Sequence, residues 1–124
     1  MTNTKKKDKE REHRIQMEAI VDAYGPEEQA MGWYYYLQDK ILFPFKALCV
    51  RERSISPLRK GEEIVVVSMA SEDDCMREMF VLAKWKSRSL GLPLAQLEPV
   101  DDVAETEEAV GDWNYWVAQG YEFG

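Results

Sequence analysis

Glu62-Glu63-Ile64-Val65-Val66-Val67-Ser68-Met69 decides the fold, because the apolar, β-branched centre of this stretch is typical of a well-buried strand. Strand and turn signals alternate on both sides of it. Upstream, Phe45-Lys46-Ala47-Leu48-Cys49-Val50-Arg51 alternates weakly as a strand, and Ser56-Pro57-Leu58-Arg59-Lys60-Gly61 is turn chemistry. Downstream, Ser71-Glu72-Asp73-Asp74 makes a turn and Met79 to Trp85 a strand. Ser87-Arg88-Ser89 is a short reversal before Leu90-Gly91-Leu92-Pro93-Leu94, a strand whose Gly and Pro place it at an edge or a bulge. Short antiparallel strands at roughly ten-residue spacing predict a small, strongly bent, SH3-like barrel. Leu97-Glu98-Pro99-Val100 is read as leaving it.

Helical periodicity flanks this β region. Met17, Ile20, Val21 and Tyr24 fall at i, i+3, i+4 and i+7, which predicts an amphipathic helix over 15–24. Tyr24-Gly25-Pro26 stops it and opens a second helix, with Glu27 and Glu28 in the first turn, running to about Leu42 before Pro44. A third helix begins near Asp102 or is capped by Thr106, and runs to about Gly120 with Ala109, Trp113, Trp116 and Val117 as its apolar face. The fold class is α+β: two N-terminal helices, the barrel and one C-terminal helix.

The 124 residues suit one domain with a real core, and 45% hydrophobic content argues for a globular chain. No apolar run spans a membrane or reads as a signal peptide. Cys49 and Cys75, with no CxxC and no neighbouring His, read as reduced thiols of a cytoplasmic protein. Charge is unevenly spread. Residues 1–14 hold six Lys/Arg against three acids, a net +3, and the rest hold ten against twenty, a net −10. Residues 1–14 are therefore read as a basic, flexible, solvated arm and 15–124 as the domain. An acidic body repels phosphate, so nucleic acid is not an expected partner.

Enzyme constellations are nearly absent. His13, the one histidine, lies in the basic arm. Neither cysteine has a candidate partner for nucleophilic catalysis, and no GxGxxG, GxxxxGK[ST] or HExxH occurs. A two-carboxylate enzyme is a distant alternative.

Hard-cation chemistry is better supplied. After Arg88 there is no Lys, Arg or His, yet Glu98, Asp101, Asp102, Glu105, Glu107, Glu108, Asp112 and Glu122 follow, interleaved with aromatics. Oxygen donors without His or Cys clusters suit Ca2+ ahead of Mg2+ and count against zinc. The EF-hand loop pattern is missing, so a site has to be assembled from separated segments. Glu105, Glu108 and Asp112 share one helical stripe; Glu28, Gly32, Tyr35 and Asp39 share another, where Gly32 leaves a groove for a neighbour. Both rows also fit ordinary solvated faces, and Glu72-Asp73-Asp74 is a third candidate or simply a polar turn.

Several strings carry a resemblance: Val21-Asp22-Ala23-Tyr24; Pro26-Glu27-Glu28-Gln29-Ala30-Met31-Gly32-Trp33-Tyr34-Tyr35-Tyr36-Leu37; Phe43-Pro44-Phe45; Ser56-Pro57-Leu58; Pro93-Leu94-Ala95-Gln96-Leu97-Glu98-Pro99; and Asp112-Trp113-Asn114-Tyr115-Trp116. Over residues 15–123 the chain resembles the small cyanobacterial-type, CcbP-like family of non-EF-hand calcium-binding proteins. The resemblance implies an acidic Ca2+ buffer or sensor inside the cell. It places Asp39 at the acidic end of the tyrosine-rich helix and Asp112 at the start of the DW-x-YW helix. Gln38 and Gly25 stand where the family would carry acids, which removes potential charge.

The expectation is a non-catalytic, monomeric Ca2+-binding protein with a site joining Asp39 to Glu98, Asp101, Glu105, Glu108 and Asp112. The rival expectation is an SH3-like protein-interaction module whose exposed aromatics grip a partner and whose acidity serves solubility.

Overall fold

A computed structural model describes residues 7–124. The chain opens with α1 (Lys9–Arg14), capped by the Asp8 carboxylate accepting from the Arg11 N–H at 3.0 Å, and continues into a π-helical turn, Ile15–Ala19. Then come α2 (Pro26–Lys40), β1 (Phe45–Cys49), β2 (Glu63–Met69), a 3-10 turn at Glu72–Cys75, β3 (Phe80–Trp85) and β4 (Arg88–Pro93). A second 3-10 turn, Leu94–Gln96, leads to β5 (Leu97–Pro99) and α3 (Ala104–Ala118). The class is α+β, as the patterning predicts.

The sheet is antiparallel with strand order β4-β3-β2-β1-β5. Ile64 and Val66 of the opening stretch are buried in central strand β2, which steps out of register with β3 between Val66 and Ser68. Two expectations change here. Leu97-Glu98-Pro99 does not leave the sheet but pairs with β1, Ala47 opposite Pro99 and Cys49 opposite Leu97. With β4 at one end of the order and β5 at the other, the sheet is open rather than a closed barrel. The physical reason lies at Pro93: it lacks an N–H, ends β4, and the following turn carries the chain to the opposite edge.

The first helix also differs. The chain is helical from Lys9, inside the stretch read as a solvated arm, and residues 1–6 of that arm lie outside the described residues. Of the predicted stripe, Met17, Val21 and Tyr24 face out, at 56%, 49% and 83% exposure, and Ile20 is half-buried against the core, while Ile15 and Ala19 are buried outright. The cause is steric. Gly32 of α2 approaches the π-turn so closely that a Cβ there would stand 2.3 Å from the Ala19 carbonyl oxygen. A glycine at position 32 permits that approach, and Asp22 at φ 56° then turns the chain away.

Trp33 of α2 is fully buried and meets Trp113 and Trp116 of α3 at ring-centroid distances of 5.1 and 5.6 Å. This aromatic seam holds the two long helices together. Thr106 is not the cap of α3; it lies inside the first turn, where its hydroxyl accepts from the Leu42 N–H at 3.0 Å. Both cysteines are free and buried, and burial pushes both thiols up. No helix among the described residues is long and apolar enough to cross a membrane.

Candidate metal centre

Asp112 organises the helical layer. It is wholly buried (0% exposed), and each carboxylate oxygen accepts two hydrogen bonds. Oδ1 takes Arg11 Nη1 at 2.8 Å and Arg14 Nη2 at 2.7 Å; Oδ2 takes Arg14 Nε at 2.9 Å and the Tyr36 hydroxyl at 2.6 Å. Arg14 therefore grips it bidentately. The Asp112 bond raises the Arg14 guanidinium further above its ordinary value. Burial, then the bond to Asp112, raises the Tyr36 phenol. Glu108, one turn earlier, is paired with Arg14 at 3.4 Å and with the Lys40 ammonium, which also reaches Glu18 at 3.9 Å and donates to the Tyr36 oxygen at 3.2 Å. Glu12 accepts from the Tyr115 and Tyr121 hydroxyls at 2.7 and 2.9 Å.

The C-terminal carboxylates thus draw counter-charge from residues 11, 14 and 40. Four hydrogen bonds, that from Tyr36 buried and the three from the arginines part-buried, satisfy Asp112, so its oxygens face guanidinium and phenol groups. The other expected ligands disperse. Asp39 is exposed and lines a groove with Glu18, Ala19, Gly32, Tyr35 and Tyr36. Glu98 lines a different pocket, beside Glu107, Arg11 and Asn114. Asp101 accepts from the Lys46 N–H at 2.9 Å on the edge of β1, and Glu105 is exposed on α3. Among the described residues no group of three or more His, Cys, Asp or Glu is placed to hold a metal.

What the structure does bring together is the stripe of α2 and the π-turn. Gly32, Tyr35 and Asp39 share one groove as their spacing predicts, whereas Glu28 of the same stripe lies outside it and accepts from the Tyr24 N–H at 2.9 Å; Glu18 joins the groove from the turn. Glu18 carries no motif signal. Its pairing follows from the close approach at Gly32, which a Gly on a carboxylate-bearing stripe was the only hint of. The groove is lined by two carboxylate residues, Glu18 and Asp39, and by Ala19, whose carbonyl oxygen lies against Gly32, beside the resident Lys40 ammonium.

A family model described as calcium binding, CcbP, matches residues 13–117. The crystal structure of Anabaena CcbP superposes with a TM-score of 0.84 at 39% identity, covering 95% of this chain and 97% of that one. A calcium binding protein in its calcium-binding form superposes with the same TM-score at 38% identity, covering 99% and 100%. No curated protein matches by sequence. The α+β architecture, the aromatic seam and these matches agree: the chain belongs to the CcbP family of calcium-binding proteins.

Proposed function

We propose that this chain binds Ca2+ in the groove between the π-turn and α2, with Asp39 and Glu18 as the anionic ligands and the Ala19 carbonyl as a neutral one. The observation that carries the proposal is the cradle at Gly32: any side chain there would strike the Ala19 carbonyl, 2.3 Å from the position of a Cβ. Calcium accepts six to eight oxygens from carboxylates, main-chain carbonyls and water, so two carboxylates and a carbonyl fit as part of a shell that water completes. The family match and the 38%-identical protein in its calcium-binding form supply the choice of ion.

Lys40 gives the groove its character. Its ammonium already bridges Glu18 and Glu108, so an arriving dication competes with a tethered monocation. Asp112, filled by four donors, is a structural anchor rather than a ligand in this reading. Glu98, Glu107 and the Asn114 Oδ1, which has no hydrogen-bond partner, support a second and weaker position. Asp101 and Glu105 contribute surface charge. The interaction-module alternative would have to rest on Tyr24 and Tyr35, which are exposed, since Trp113 and Trp116 are buried.

Calorimetric titration of chelator-stripped protein with Ca2+, repeated with Mg2+, tests the proposal. Saturable Ca2+ heat that weakens at least tenfold in Asp39→Asn and in Glu18→Gln is expected. A flat isotherm to millimolar Ca2+ sinks it, and unchanged affinity in both variants moves the ion to the Glu98–Glu107 pocket.

A further inference from the structure

Positive charge gathers at one place that the helical network leaves aside. Arg51 and Arg53, following β1, and Arg77, following the 3-10 turn at Glu72–Cys75, line one cleft of about 400 Å³ beside the C-terminal half of α3. Arg53 is paired with Glu78. The side chains of Arg51 and Arg77 are exposed, and among the described residues neither makes a hydrogen bond or ion pair.

These guanidiniums are not needed to cap α3. The N–H groups of Gln119, Gly120 and Tyr121 already take the carbonyls of Tyr115, Val117 and Trp116, at 2.9, 3.0 and 3.3 Å. The cleft is rich in donors and poor in acceptors. Each guanidinium carries five N–H groups, and the indole N–H of Trp113, a lining residue, is buried without a partner. Of the two carboxylates in the lining, Glu78 is engaged by Arg53, which leaves Glu122 against two uncommitted arginines. Such a site holds more donors than acceptors, and the Arg fork matches phosphate bidentately. The volume lies in the range of small-molecule pockets, and Val117 with Tyr121 offers an apolar flank.

We propose that this cleft binds a small phosphomonoester, held by Arg51 and Arg77. The proposal is independent of the calcium groove, so the experiment runs in chelator-stripped protein at constant ionic strength. Trp113 and Trp116 line the cleft and report binding by fluorescence. The probes are AMP, inorganic phosphate and adenosine. Saturable quenching by AMP or inorganic phosphate, weakened about tenfold in each of Arg51→Gln and Arg77→Gln, is the expected result, that factor being the loss of one charge-assisted hydrogen bond. Both arginines are exposed, and melting curves establish that the variants are folded. Three outcomes overturn the proposal: no saturable change with AMP or inorganic phosphate to millimolar concentration, adenosine binding as well as AMP, or affinity unchanged in both arginine variants.

Discussion

Replacing Asp112 by Asn tests the reading of the helical layer most directly. The substitution keeps the shape but removes the charge, and it puts an NH2 where one oxygen accepted two donors. Two guanidiniums, with side chains 27% and 21% exposed, then face a neutral amide. Removing one partner of a buried ion pair costs about 3–5 kcal/mol. Both arginines here still reach water, which lowers the expected loss to about 2–3 kcal/mol. Total stability for a chain of this size is on the order of 6–18 kcal/mol, so the variant stays folded but melts roughly 6–15 °C lower. Circular dichroism melts of both proteins measure the shift, and a double-mutant cycle with Arg14→Gln isolates the pairwise part. Calcium titration of the folded variant supplies the second axis. With Asp112 as an anchor, melting falls and Ca2+ affinity holds within about threefold. A melting point within about 2 °C of the parent together with abolished Ca2+ binding refutes the reasoning and makes Asp112 a ligand.

Gly32→Ala places a Cβ 2.3 Å from the Ala19 carbonyl oxygen, so the backbone has to shift; a loss of about 1–3 kcal/mol in urea unfolding and weaker Ca2+ binding are expected together. Lys40→Gln removes the resident cation from the groove, and calorimetry is expected to show Ca2+ affinity higher by about threefold. Tyr36 has its phenol raised above the ordinary value of 10.0, so its protonated form is favoured by folding. That contribution is fully present below pH 10, is lost as pH rises toward the folded value, and disappears in Tyr36→Phe, as alkaline melts of the two proteins would reveal. Cys49 and Cys75 are buried with raised thiols, so a thiol-directed colorimetric reagent is expected to label neither until denaturant is added.

Local signals were enough for most of the elements. The β-branched run at 64–67, the Gly25-Pro26 break and the Trp113/Trp116 face each place an element within a few residues of where it lies. The stripe Gly32, Tyr35, Asp39 was legible for the same reason, since helical spacing fixes it whatever packs above. Closure of the sheet was not. It depends on Leu97-Glu98-Pro99, a three-residue strand with a proline, too short to carry a period. Met17, Val21 and Tyr24 face out against the helical spacing because a π-turn over Ile15–Ala19 changes which residues meet α2, and its contact at Gly32 has no mark in the local sequence. The pairing of Arg11 and Arg14 is not legible in the sequence because a solvated charge and a paired one look alike until the partner, about a hundred positions away, is in place.

The separation of 98 and 101 residues between Asp112 and its two arginines has a consequence for vectorial synthesis. A ribosome adding about 5–20 residues per second needs roughly 5–20 s to travel from Arg14 to Asp112. Helices and hairpins form in microseconds, so the intervening sheet has ample time to pair first. Throughout that interval Arg11 has only Asp8, at 3.7 Å, to pair with, and Arg14 has neither Asp112 nor Glu108. The clasp between the two ends of the domain is then a late event, and the helical layer locks only after the sheet has been made.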